Sequence, residues 1–162
     1  MPRAGGRLGT LFLLLGFWLG VGALLYLFFL RQEAPPIQLI GPDRVELTRA
    51  RDGHFRIDGA IQGKPVRFLI DTGASTVSIS ASLAQRIGMG CDTAASFHTA
   101  NGTVRGCMTR VAALEFGPFR AEHLSVAILP NLGGDALLGM NALRQVRMEQ
   151  SGDRLALSRA GP

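Results

Sequence analysis

Phe68-Leu69-Ile70-Asp71-Thr72-Gly73-Ala74-Ser75 is the stretch on which the reading of this chain turns. An apolar strand ends in one carboxylate, and a Thr-Gly turn follows at once. Burial disfavours the charged form of such an acid. It becomes useful when a second, identical Asp faces it. Two carboxylates in contact cannot both ionise, so they share a proton; one then acts as base on a water while the other acts as acid. As a bare tripeptide, Asp-Thr-Gly is also an ordinary hairpin corner. The surroundings argue for more. A second strand-like stretch, Ala74-Ser75-Thr76-Val77-Ser78-Ile79-Ser80, comes directly after the turn, and the apolar run Ala136-Leu137-Leu138-Gly139-Met140 lies far downstream.

With these three features in this order, Phe68 to Ser75, Thr99-Ala100-Asn101-Gly102-Thr103 and Ala136 to Asn141, the chain resembles the retropepsin-like aspartic peptidases of the single-domain, membrane-anchored bacterial kind. The resemblance covers His54 to Ser158. It implies an all-β fold: a closed barrel with a flap hairpin and short helices. The catalytic residues it implies are Asp71, Thr72 and Gly73. Asp71 activates water, Thr72 braces two active-site turns across a dimer axis, and Gly73 permits the tight turn. Substrate binding is expected at Ala74, Ser75, Ala100, Asn101, Gly102 and Leu138, with Ile70 and Val104 as further apolar candidates along the groove. Ser75 is expected beside the carboxylate, and Leu137-Leu138-Gly139 behind the Asp71 turn. The substrate implied is an extended polypeptide.

Asp-Thr-Gly occurs once. Asp92-Thr93 is followed by Ala94, and Asp135 precedes an apolar run, so neither repeats the motif. One carboxylate cannot share a proton with itself, so hydrolysis by this chain requires a homodimer with two Asp71 residues about a two-fold axis. A non-catalytic peptide-binding module on the same fold, or a membrane-tethered assembly protein, is the alternative. A nucleophilic serine hydrolase is disfavoured, because Ser75 and Ser78 lack a Gly-x-Ser-x-Gly elbow.

The 162 residues allow one modest domain and an appendage. Residues 11–30 carry no charge, and about 20 residues at 1.5 Å each cross a hydrocarbon core of about 30 Å. This run is longer than a signal-peptide core and shows no polar face. It is expected to be a single-pass signal anchor in the bilayer, after a cytoplasmic tail at 1–10. Residues 31–50, with Pro35-Pro36, are expected to be a linker, and 51–160 the peptidase domain. Arg3 and Arg7 precede the span, which by the positive-inside rule places the domain outside the inner membrane, in the periplasm.

The net charge of +5 comes from scattered arginines, Lys64 being the only lysine, so nucleic-acid binding is not expected. His54, His98 and His123 form no metal-ligand spacing and are expected to be surface or strand residues; no metal or cofactor is expected. Cys91 and Cys107 flank the proposed flap, where they either pair or remain two buried thiols. Local signals predict a hairpin turning at Gln62-Gly63-Lys64-Pro65, and a helix capped by Ser80 and stopped by Gly88. They also predict a hairpin at Asn101-Gly102, a turn at Gly117-Pro118, a short helix at 140–144 and a closing hairpin over 145–158.

Overall fold

The computed structural model describes residues 5–30, 38–99, 102–134 and 136–160, with side chains described from 11 to 27 and from 41 onward. Two compact units result, Met1–Ala34 and Pro35–Pro162.

The first unit contains one helix, α1 (Gly5–Leu30). Its described large apolar side chains, among them Leu13, Trp18, Leu19 and Tyr26, are exposed. No helix among the described residues is long and apolar enough to cross a membrane. The expected span at 11–30 is therefore not established by the residues described.

The second unit is built of strands. They are β1 (Gln38–Gly41), β2 (Arg44–Thr48), β3 (Arg56–Ile61), β4 (Lys64–Ile70), β5 (Val77–Ser80), β6 (Thr93–Thr99), β7 (Gly102–Phe116), β8 (Phe119–Leu129), β9 (Ala136–Leu138), β10 (Val146–Ser151) and β11 (Arg154–Arg159). Two short helices, α2 (Ala81–Ile87) and α3 (Met140–Leu143), complete it. The larger sheet runs β3-β4-β9-β5-β8-β7-β6, and a further pairing of β3 with β7 closes the strands from β3 to β7 into a ring, leaving β6 outside it. This is the closed barrel expected from the sequence. Phe68, Ile57, Ile79, Leu114, Phe116 and Leu138 fill it and are fully buried.

Local chemistry accounts for many boundaries. Gln62 and Gly63 both take positive φ, the backbone twist that suits a two-residue hairpin between β3 and β4. The Ser80 side chain accepts from the Leu83 N–H, and Gly88 ends α2 in the left-handed conformation. Strand β7 runs unbroken from the flap to the turn at Gly117-Pro118.

Residues 38–48 are a correction to the linker expected at 31–50. Strand β2 pairs with β11 through Val45↔Leu157 and Leu47↔Leu155, giving a second sheet of order β1-β2-β11-β10. Val45 and Leu47 are buried, while the alternate residues Arg44, Glu46 and Thr48 face outward. That alternation over a short run is a half-buried strand, stabilised by a partner more than a hundred residues away.

At the barrel seam Gly59 lies against β7. A Cβ there would stand only 2.0 Å from the Glu115 carbonyl oxygen. Gly59→Ala is expected to force the two backbones apart at a cost of about 2 kcal/mol or more. Urea unfolding of the solubilised full-length chain, followed by Trp-independent far-UV circular dichroism, measures it.

Candidate active site

Asp71 leaves the end of β4, in the centre of the barrel wall. The strand before the motif, β4, and the strand after it, β5, do not pair with each other; β9 lies between them. Strand β9 runs parallel to β4 in the register Phe68↔Ala136, Leu69↔Leu137 and Ile70↔Leu138. The Asp71 N–H continues this ladder by donating to the Leu138 carbonyl at 3.2 Å. The backbone of the catalytic-type turn thus begins in a sheet rather than in a free loop.

The turn itself is short. The Ala74 N–H donates to the Asp71 carbonyl at 3.3 Å, and the Gly73 N–H donates to Asp71 Oδ1 at 2.9 Å. The second bond holds the carboxylate in one orientation, the usual service of an Asp to its own turn. Asp71 is half-buried, and Thr72 and Gly73 are exposed.

The segment 71–76 arches over the end of β9, and Gly139 makes the crossing possible. A Cβ on Gly139 would lie 2.5 Å from the Thr76 carbonyl carbon and 2.9 Å from the Ala74 carbonyl oxygen. The first turn of α3 then secures the arch. The Met140 N–H donates to the Ala74 carbonyl at 2.8 Å, and the Asn141 N–H to the Ser75 carbonyl at 3.1 Å. The Asn141 side chain bridges two strands. Its Oδ1 accepts from the Val77 N–H at 2.9 Å, and its Nδ2 donates to the Ser125 carbonyl at 2.8 Å.

Above the turn is a cavity of about 470 Å³. Asp71, Gly73, Ala74 and Ser75 line its floor, and Phe97, His98 and Thr99 of β6 its roof. Leu129, Leu132 and Leu137 supply apolar wall. Asp71, Gly73, Ala74 and Ser75 of the expected set therefore meet at one place. Thr72 is exposed beside it, and Gly102 opens β7 at the flap tip without lining the cavity. Ala100 and Asn101, expected to bind substrate, lie outside the described residues. Leu138 is corrected: it is fully buried in the barrel, and Leu137 faces the cavity instead. Ile70 packs against the core, and Val104 is half-buried away from the lining. The Ser75 hydroxyl makes no hydrogen bond to Asp71 among the described residues.

Sequence reasoning missed Phe97, His98, Thr99, Leu129 and Leu132. Flap and wall residues come from strands whose register with the Asp71 turn is not local. Among the described residues, no group of three His, Cys, Asp or Glu could hold a metal ion.

The flap hairpin of β6 and β7 is tied at its base. Cys91 and Cys107 form a disulfide with 5.4 Å between Cα atoms. Between them Asp92 accepts from the Thr109 hydroxyl at 2.7 Å and the Arg110 N–H at 3.1 Å. These two bonds, the hydroxyl first, hold its carboxyl below the usual carboxylate range.

The comparisons agree with this geometry. The family model for the gag-polyprotein putative aspartyl protease matches residues 57–145, so the chain belongs to that family. A crystal structure of a retropepsin-like aspartic protease from Rickettsia conorii superposes with a TM-score of 0.64 at 24% identity, covering 77% of this chain and 96% of that one. The fold is retropepsin-like. An uncharacterized protein in the cobV 5′ region of a Sinorhizobium species is 27% identical over 114 residues, 68% of this chain. The chain spans about half the length of that curated relative, 49%.

Two outcomes follow from the site's bonds. Asn141→Leu leaves the Val77 N–H and the Ser125 carbonyl without partners and is expected to cost about 2–4 kcal/mol, read as a lower urea midpoint. Asp92, whose folded carboxyl titrates below its unfolded value, contributes stability above about pH 4 and loses it as the pH falls further. The melting-temperature gap between wild type and Asp92→Asn should therefore be widest near neutrality and close in acid.

Proposed function

We propose that this protein is a membrane-anchored aspartic endopeptidase acting as a homodimer. The observation that carries the reading is the Asp71 carboxylate, oriented by the Gly73 N–H at the floor of a cavity roofed by a hairpin. In the dimer, Asp71 of one protomer faces the same residue of its partner. One carboxylate takes a proton from a bound water, which attacks the peptide carbonyl. The other carboxyl gives its proton to the developing oxyanion, and proton return to the amine completes cleavage. Each carboxyl alternates between acid and base, so hydrolysis is fastest where the pair holds one proton. Thr72, exposed on a single chain, braces the two turns across the axis in this reading. Ser75 and Ala74 meet the substrate backbone from below, and the flap hairpin of β6 and β7 covers it and excludes water.

The anchor is α1. A helix apolar on all sides has no polar face to turn to water, and residues 11–30 carry no charge. The domain then faces an oxidising compartment such as the periplasm. The Cys91–Cys107 disulfide supports that placement, since such bonds persist outside the reducing cytosol.

Cleavage of a mixed peptide library by the solubilised full chain, from acid to neutral pH, tests the reading. Asp71→Asn is expected to lower the rate by about three orders of magnitude or more while the circular dichroism spectrum stays native. Equal cleavage by the purified variant would contradict it.

A further inference from the structure

The Cys91–Cys107 disulfide encloses the flap and little else. The two cysteines are 16 positions apart, and between them lie all of β6 and β7 as far as Gly106. Cys107 stands where the hairpin leaves the barrel, because the ladder of β7 with β8 starts at Cys107↔Ile128. Before that residue β7 pairs with β6, and β6 has no other strand beside it among the described residues. Cys91 stands where the chain enters the hairpin. The bridge therefore joins the entering strand to the barrel wall at the foot of the flap.

That position bears on the cavity through Gly106, the residue before Cys107. A Cβ on Gly106 would lie 2.4 Å from the Ile128 carbonyl oxygen, 3.1 Å from Leu129 Cδ2 and 3.2 Å from Phe97 Cε2. The flap thus lies flush against β8 at its foot. Phe97 and Leu129, which both line the cavity, converge over the gap left by the glycine. Without the bridge, the entering strand is held by its ladder with β7 and by the bonds that the exposed Asp92 accepts from Thr109 and Arg110. Upstream, Met89 packs on the core and donates its N–H to the Ala84 carbonyl at 2.8 Å, which fixes the chain there. Gly90 follows as a swivel between that point and β6. Cys91 is exposed and Cys107 half-buried, so a reductant reaches the bridge from the Cys91 side.

We propose that Cys91 and Cys107 are positioning residues whose bridge makes the site redox-sensitive. Oxidised, it seats the flap, with Phe97, over the cavity; reduced, it lets β6 move on Gly90 and loosens the grip on an extended polypeptide. The inference rests on the reading of the cavity as a peptide groove. The chemistry is thiol–disulfide exchange with a dithiol. One thiolate of the reductant attacks Cys91 Sγ, the bond to Cys107 Sγ breaks, and Cys107 leaves as a thiolate that takes a proton. The second thiol of the reductant then displaces Cys91, which is protonated in turn. Two electrons and two protons pass to the protein, and the reductant becomes a cyclic disulfide. With the domain exported as proposed above, full binding is confined to the oxidising side of the membrane.

The test compares three samples of the full-length chain in neutral detergent: oxidised wild type, wild type reduced with dithiothreitol, and the double variant Cys91→Ala with Cys107→Ala. Binding of a statine-type peptide is measured by calorimetry, and amide hydrogen exchange is followed in β6 and in the barrel strands β4 and β9. Apparent affinity scales with the fraction of chains in the competent state, so a reduced flap seated about one-tenth of the time binds about ten-fold more weakly. Reduction is expected to give that loss and to speed exchange in β6 while β4 and β9 stay protected. Reoxidation restores both, and the double variant matches the reduced wild type with or without dithiothreitol. Equal affinity in all three samples overturns the proposal. So does an equal loss of protection in β6, β4 and β9, which would make the bridge a support of the whole fold. Failure of oxidised wild type to bind the peptide overturns it together with the groove. Hydrolysis of a matching unmodified peptide is recorded in parallel, with the rise in KM expected to exceed the fall in kcat. Redox-dependent binding without hydrolysis rejects the peptidase reading and retains the role of the bridge.

Discussion

The parallel pairing of β4 with β9 is the constraint on which the site depends. It carries the backbone to Asp71 through a ladder that ends in the bond from the Asp71 N–H to the Leu138 carbonyl. Because β9 also separates β4 from β5, the chain must cross the end of β9 immediately after the carboxylate. The crossing leaves no room for a side chain at Gly139. The N–H groups of Met140 and Asn141 then hold the carbonyls of Ala74 and Ser75. In the proposed homodimer, an acid that meets its counterpart at a fixed distance would need such a mount, since small misplacements of reacting groups are costly.

Rigidity on the floor is matched by a clamp on the roof. The disulfide at the base of the flap and the bonds accepted by Asp92 fix the hairpin where it leaves the barrel, while β6 lies outside the closed ring of strands. A roof anchored at one end can close over an extended chain without disturbing the floor. Among the described residues the cavity holds a single carboxylate, Asp71, so the chemistry of a shared proton would require a second chain.

Much of this was legible in the sequence, for reasons that are local. Ser80 and Gly88 mark the ends of α2 because capping involves residues a few positions apart. The Gln62-Gly63 hairpin and the strand leading to Asp71 carry their turn chemistry with them. What stayed hidden depends on distant partners. Strands β1 and β2 read as linker because Pro35-Pro36 and a mixture of charges precede and interrupt them, yet Val45 and Leu47 are core residues through pairing with β11. Leu137 and Leu138 are indistinguishable as a dipeptide; only the register with β4 decides that Leu138 is buried and Leu137 faces the cavity. Phe97 looked like any apolar strand residue, because its place on the cavity is set by how the flap folds back over the barrel.

The central claim is that two copies of Asp71 form one catalytic unit, and mixed dimers test it most directly. Wild-type and Asp71→Asn chains, co-expressed with distinguishable tags in varied ratio, would be assayed for hydrolysis of a single peptide at fixed total protein. If each site needs a carboxylate from both protomers, activity falls as the square of the wild-type fraction. Activity that falls in simple proportion to that fraction would mean that one chain suffices, and would contradict the account.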